Sequence, residues 1–379
     1  MKWSVPLGRV AGIPIRMHAS FILLLAWIAW EGWKINGLSS SLWALALINC
    51  LFACVVLHEL GHSLVAVHFG AEVRSVTLLP IGGVASMKSI PEKPHQEFLV
   101  SLAGPLVNVL IACVLAAVRG GFPSWAVADG FPTSLGGLVD SLVRANIVLA
   151  SFNLLPAFPM DGGRVLRSLL ALFLPHARAT AISATMGQVL AIGFILVGLL
   201  LNPVLVLIGV FVFIAAESEE RSVHVRHLLR DVLVEDVMVT DPVTLRPDDT
   251  IARCVEFVYH HKQEDFPVEV EGRLVGVLAR KDWLGALHGQ GADARVADVM
   301  VRHFVSVLAK TPLVRLYRDM SALRQSVFPV VENGRLVGLV TPDDISRYLI
   351  VQEARRGSPQ ARTGAAAPGR ASRLTVDLG

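Results

Sequence analysis

Six long apolar stretches govern the first 217 residues: 18–35, 42–69, 97–118, 138–155, 181–201 and 203–216. A helix needs about 20 mostly apolar residues to cross a hydrocarbon core. Each stretch therefore reads as a spanning helix, the last short enough to tilt. Only Asn202-Pro203 separates the last two, which predicts a tight helical hairpin. Between the second and third stretches the period changes. Glu72-Val-Arg-Ser-Val-Thr-Leu-Leu79 alternates as a strand does, and Pro80-Ile-Gly-Gly-Val-Ala-Ser-Met87 turns into a second extended piece. Residues 1–217 thus predict a polytopic α-helical membrane domain, about six transmembrane helices with a membrane-associated β-hairpin.

Residues 218–230 read as a polar linker, and beyond them the chain repeats itself. Asp236-Val-Met238 returns as Asp298-Val-Met300, and Phe266-Pro-Val268 as Phe328-Pro-Val330. Gly272-Arg-Leu-Val-Gly276 returns as Gly334-Arg-Leu-Val-Gly338 and Asp282 as Asp344, every pair 62 positions apart. The repeat units, 231–288 and 293–350, each predict a short strand, a helix, two strands across a Gly-bearing turn, and a second helix. The first helices are expected at about 250–261 and 312–325, in an α/β domain spanning 231–350. The remainder, 351–379, is rich in Arg, Ala, Gly, Ser and Pro and reads as a disordered tail.

Composition sharpens this division. The chain has 379 residues, 53% hydrophobic and only 17% charged, with a mean hydropathy of +0.58. That excludes an ordinary soluble enzyme. A net charge of +3 gives no case for nucleic acid. Cys50, Cys54, Cys113 and Cys254 show no paired spacing and read as reduced packing residues. The basic N-terminus lacks the pattern of a cleaved signal. With that terminus inside, the inner segments hold Lys2, Arg9, Arg16, Arg74, Lys88, Lys93, Arg164, Arg167, Arg178, Arg221, Arg226 and Arg230. The outer segments hold only Lys34 and Arg119. The bias places both termini and the repeats in the cytoplasm of a multi-pass protein of the cell membrane.

One apolar stretch carries ionisable groups that lipid disfavours: Leu57-His58-Glu59-Leu60-Gly61-His62. Such groups mark function by default. Two histidines four residues apart share one face of a helix and can hold a single Zn²⁺. Glu59 beside the first is placed as a base for water. A third protein ligand is needed. His68 lies about 240° around the helix from His62, at about 100° per residue. Glu72, Glu92 and Glu97 lie in or beside a loop. Asp161, in Asn153-Leu-Leu-Pro-Ala-Phe-Pro-Met-Asp161-Gly-Gly-Arg164, follows a later apolar stretch. Its two glycines would let the backbone pass close to a metal, although Asp before a helix is also a common N-cap.

The His58…His62 motif with Asn153…Pro159-Met-Asp161-Gly162 resembles the site-2 protease family of intramembrane zinc metalloproteases, over about the first 220 residues. The resemblance implies that Asp161 is the third zinc ligand and that Asn153 lies in the catalytic region. Ser101-Leu-Ala-Gly104-Pro105-Leu-Val-Asn108 is similar to the family's segment on the intervening helix. The repeats resemble a tandem pair of CBS (cystathionine-β-synthase) domains, a family that often binds adenine nucleotides. Gly338-Leu-Val-Thr341-Pro-Asp-Asp344 keeps that family's pattern, which implies Thr341 near phosphate and Asp344 on ribose hydroxyls. The first unit keeps Asp282 but has Ala279 in the hydroxyl position, so one ATP, ADP or AMP per pair is expected.

The expectation is a zinc metalloendopeptidase with one Zn²⁺ per chain, catalysed by Glu59 with help from Asn153. It would cut transmembrane or membrane-proximal segments of other proteins in the bilayer, as in regulated intramembrane proteolysis. The 71–87 edge would hold a substrate extended, and adenine nucleotide would modulate a homodimer formed through the CBS pair. A CBS-regulated transporter or channel, or a zinc-bound scaffold without hydrolysis, are the competing classes. A conduction path would not need Glu59 adjacent to His58 together with Asp161-Gly162.

Overall fold

The computed structural model of the protein describes residues 4–80, 82–87, 93–125, 130–323 and 325–357. It contains two compact units, Met1–Val223 and His224–Gly379.

The first unit opens with a hairpin, β1 (Ser4–Val10) and β2 (Ile13–His18), where the sequence suggested only a basic lead into the first span. Helix α1 (Ser20–His68) follows, then β3 (Val73–Leu79) and β4 (Gly82–Met87). β2 runs parallel to β3, and the sheet order is β1-β2-β3-β4. The prolines fit because Pro6 lies on edge strand β1, and Pro14 precedes the parallel register that begins at Ile15 and Val76. Ile13, Ile15 and Val76 are buried in one cluster with Leu60 of α1. The sheet therefore packs against the part of α1 that carries His58 and His62.

Over its 49 residues α1 has non-helical angles at Asn36 (φ −150°, ψ 38°) and Gly37 (φ 62°, ψ −144°). There the chain reverses. The rings of Phe21 and Phe52 are 4.5 Å apart, and Ser41 Oγ donates to the Ala29 carbonyl at 2.7 Å. A Cβ on Gly32 would stand 2.8 Å from Ser41 Cα. Facing pairs step inward from Phe21–Phe52 to Gly32–Ser41, so the first two apolar stretches are the arms of one helical hairpin.

Helices α2 (Pro94–Arg119), α3 (Leu135–Asn153), α4 (Asp161–Leu170), α5 (His176–Leu201) and the part of α6 (Pro203–Leu228) up to Val223 complete the unit. Four helices among the described residues, α1, α2, α3 and α5, are long and apolar enough to cross a membrane by length and composition. The sixth expected stretch is the first half of α6. Most of the expected linker is helical: α6 continues to Leu228. No Gly or Pro interrupts 210–230, and Glu217 pairs with Arg221 at 3.2 Å one turn on.

The second unit contains β5 (Val239–Thr240), α7 (Ile251–His261), β6 (Phe266–Val270), β7 (Arg273–Leu278), α8 (Arg280–Gly289) and α9 (Val296–Val299). Then come α10 (Leu313–Leu323), β8 (Phe328–Glu332), β9 (Arg335–Val340) and α11 (Pro342–Gly357). The two repeats exchange their leading segments. β5 of the first pairs with β9 of the second through Val239 and Leu339, while Val301 bridges to Val277 on β7. A Cβ on Gly338 would meet Met238 Sδ at 2.6 Å, and one on Gly276 would meet Met300 Sδ at 2.7 Å. The repeated Asp-Val-Met and Gly-Arg-Leu-Val-Gly motifs thus lock onto each other crosswise. Tight turns at Glu271-Gly272 (φ 51°, 75°) and Asn333-Gly334 (φ 51°, 79°) need positive φ at both central positions. Of the expected disordered tail, 351–357 are the last turns of α11; residues 358–379 lie outside the described residues.

Candidate metal centre

His58 and His62 lie on the second arm of α1, each 7% exposed. Their Nε2 atoms are 3.1 Å apart. Asp161 Oδ2 stands 3.3 Å from His58 Nε2 and 3.1 Å from His62 Nε2. Asp161 is the first residue of α4, and Met160 occupies the N-cap position with no side-chain cap. The capping role is therefore not what holds this aspartate; its carboxylate turns to the two imidazoles, 99 positions away from His62 in sequence.

Hydrogen bonds behind the imidazoles fix where their protons sit. The Val100 carbonyl, which can only accept, takes a hydrogen bond from His62 Nδ1 at 2.6 Å. For His58 the direction propagates from further away. Asn146 Nδ2 donates to the Leu142 carbonyl at 2.8 Å and to Cys54 Sγ at 3.4 Å. Asn146 Oδ1 must then accept from Asn108 Nδ2, at 2.8 Å, so Asn108 Oδ1 faces His58 Nδ1 and accepts its proton at 2.5 Å. With both rings neutral, each then carries its hydrogen on Nδ1 and a lone pair on Nε2, so two lone pairs and a carboxylate oxygen face one another. That arrangement is repulsive unless a cation occupies it, and outer partners on the far ring nitrogen are a usual feature of metal-ligating histidine. These residues form a group of His58, His62 and Asp161 with donor atoms all within 4.8 Å of one another.

Glycine makes the space. A Cβ on Gly104 would run into His62 Nε2, and would stand 2.7 Å from His58 Cε1. A Cβ on Gly83, in β4, would stand 2.7 Å from Glu59 Cγ, so the backbone of the edge strand lies directly on the glutamate. Gly162 and Gly163 abut the backbone of Leu154, Leu155, Ala157 and Phe158, tucking the start of α4 under the preceding loop.

The chain matches the sequence models of Peptidase family M50, over residues 46–145 and 128–194, and of the CBS domain, over 234–289 and 296–351. It is 38% identical over 356 residues to a zinc metalloprotease of Methanocaldococcus jannaschii, covering 94% of this chain and 98% of that one. The chain belongs to the M50, or site-2, proteases. It is also 28% identical to Rip3 of Mycobacterium tuberculosis over 395 residues, 96% of this chain and 97% of Rip3. Among solved structures, the site-2 protease of M. jannaschii is 41% identical over 57% of this chain and 95% of its own, with a TM-score of 0.43. This site-2 protease is a zinc metalloprotease with a tandem CBS pair, which removes the transporter and channel readings.

The other expected residues fall as follows. His68 is exposed at the end of α1, with its ring against Phe69. Glu72 is exposed, Glu92 lies outside the described residues, and Glu97 is buried against Arg167. Asn153 ends α3, half-buried. Asn146 was missed by sequence reasoning, and Asn108 was noted only within a motif. Polar residues inside apolar stretches were their available signal. In the second unit Thr341 Oγ1 and N donate to Asp344 Oδ2 at 2.7 and 2.9 Å. Asp344 lines a cleft of about 430 Å³ with Asp236, Arg347 and Arg355. The repeat-related cleft, about 460 Å³, has Lys281, Asp282 and Asp298. With Ala279 in place of the threonine, Asp282 Oδ2 is buried without a hydrogen-bond partner.

Proposed function

We propose that the first unit holds one Zn²⁺ on His58, His62 and Asp161, uses Glu59 as general base, and cuts transmembrane or membrane-proximal segments of other membrane proteins. The observation that carries this reading is the convergence of two histidine Nε2 atoms and a carboxylate oxygen at 3.1–3.3 Å among apolar helices. Two imidazoles and a carboxylate are a donor set of catalytic zinc, which leaves a further position open. When bound, the ion supplies Lewis-acid polarisation of a peptide carbonyl and acidification of water. Glu59 takes the proton of the attacking water and delivers it to the leaving amine. Asn153, eight positions before Asp161, offers its amide to the carbonyl oxygen as that atom becomes negative.

The β4 edge supports the binding mode. Its only strand neighbour among the described residues is β3, and its Gly83 lies on Glu59. A helical substrate hides its carbonyls in i→i+4 bonds, so it must unwind, and an unwound segment adds to an open edge as a further strand. The basic inner segments favour cytoplasmic termini in the cell membrane. In the second unit, adenine nucleotide is held at Thr341 and Asp344, where Arg347 and Arg355 offer charge to phosphate; Asp282 marks a lesser site. Nucleotide modulates cleavage through different affinities for two states of the protein, and the CBS pair joins two chains as a homodimer. The test of the metal site is zinc content of the purified chain in detergent. About one ion per chain is expected, with most of it lost in Asp161→Ala and none lost in His68→Ala. Full retention in Asp161→Ala removes the assignment.

A further inference from the structure

Arg167 on α4 is 4% exposed and takes no part in the chemistry above. Its Nε donates to Glu97 Oε1 at 2.7 Å, its Nη2 donates to the same oxygen, and its Nη1 reaches Glu219 Oε1 at 3.2 Å. The guanidinium carbon stands 4.9 Å from the centre of the Phe158 ring. Glu97 is 2% exposed, and its Oε2 has no hydrogen-bond partner, with His176 Nε2 at 3.6 Å. Four elements, α2, α4, α5 and α6, meet on this group.

Burying such ions costs several kcal/mol each, and an apolar pair of similar volume often holds a fold equally well. What a guanidinium fork adds is a fixed direction and register. The two segments it joins both belong to the metal centre. Glu97 precedes Val100 by one turn of α2, and the Val100 carbonyl holds His62. Arg167 follows Asp161 by six residues on a ten-residue helix, about 9 Å along its axis. The distance between His62 and Asp161 is therefore set by how α4 sits on the first turn of α2, and the Arg167–Glu97 pair is the polar contact that fixes it. We infer that Arg167 is a positioning residue for the metal centre. It clamps α4 to α2 so that Asp161 Oδ2 meets both imidazoles, and the inference rests on those three residues being the zinc donors.

The full chain in detergent tests this by zinc affinity in chelator competition, by the visible spectrum of the cobalt-substituted protein, and by melting temperature. Arg167→Met with Glu97→Gln removes both fully buried charges together, and only the half-buried Glu219 loses a guanidinium contact. Near-native melting is expected, with zinc affinity at least about tenfold weaker, as for outer partners of metal ligands, and a changed cobalt spectrum. Native affinity and spectrum in that double variant overturn the inference, leaving Arg167 as a packing ion. Should the double variant melt lower, Arg167→Lys decides, because it keeps the charge and loses the fork. A changed cobalt spectrum at native melting temperature supports the clamp, and an unchanged one overturns it. Asp161→Ala is the control: if it binds zinc as the native protein does, the donor assignment has failed and the clamp falls with it.

Discussion

Asn108→Leu removes the acceptor from His58 Nδ1 without touching a donor atom, in a residue 1% exposed. The cost falls on the zinc-bound state. Without metal, His58 can move its proton to Nε2 and give it to Asp161 Oδ2, 3.3 Å away. With metal, Nε2 must offer its lone pair, so the proton stays on Nδ1 with nothing to accept it. A buried unsatisfied donor costs about 1–3 kcal/mol. At 1.4 kcal/mol per tenfold that is about a 5- to 150-fold loss of zinc affinity, bracketing the 10- to 100-fold usual for such partners. Asn146→Leu acts one step further out. Besides Asn146's own bonds to the Leu142 carbonyl and Cys54 Sγ, it removes the one neutral hydrogen bond that orients Asn108, which costs zinc affinity about 1 kcal/mol or roughly fivefold. Chelator competition on the purified proteins reads both constants, with melting temperature as the check on folding. Native zinc affinity in a folded Asn108→Leu protein would refute the proton assignment at His58, and with it the argument that three lone pairs converge.

Two further outcomes follow for the second unit. Asp344→Ala should weaken adenine-nucleotide binding, titrated by calorimetry on the full chain, more than Asp282→Ala does; equal effects would place the site elsewhere. Burial, with Glu264, Asp343 and Asp344 as neighbouring charges, raises Asp265 above the usual carboxylate range despite the Arg280 N–H it accepts. A raised folded-state value means the native unit keeps a proton that the unfolded chain releases. Stability is therefore lost as pH rises above about 4, the unfolded value. Asp265→Asn should raise the melting temperature at pH 7 and change it little near pH 4, and no gain at pH 7 would show that the charge is not felt.

The parts of this protein that sequence made legible are those whose chemistry is local. His58, Glu59 and His62 are spaced by one helical turn, and the 62-residue offset displays the repeats directly. Asp161 joined His58 and His62 in the sequence only through the family resemblance, since nothing local to residues 153–164 points to His62, 99 positions earlier. The Asn108–Asn146 relay was hidden because it joins residues 38 positions apart on two helices, with a packing contact as its only link. The N-terminal strands were hidden for a similar reason, since β2 gains its parallel partner β3 across the whole of α1. That the linker is largely helical was hidden because Glu, Arg and Ser suggest solvent, whereas the absence of Gly and Pro lets α6 run on to Leu228. The crosswise exchange between the repeats left one trace in the sequence, a glycine at 276 and 338 where a methionine from the other repeat must fit.

The central claim is hydrolysis of a membrane-embedded peptide by Glu59 beside a His58, His62 and Asp161 centre. The most direct measurement is cleavage of a single-span substrate in liposomes by the native protein and by Glu59→Gln, with zinc determined on the same preparations. The substitution keeps the size of the side chain and leaves the three donors alone. The account predicts equal zinc in both proteins and cleavage at least ~100-fold slower in Glu59→Gln, the low end of a general-base contribution. Cleavage at near the native rate, with zinc retained, would contradict it.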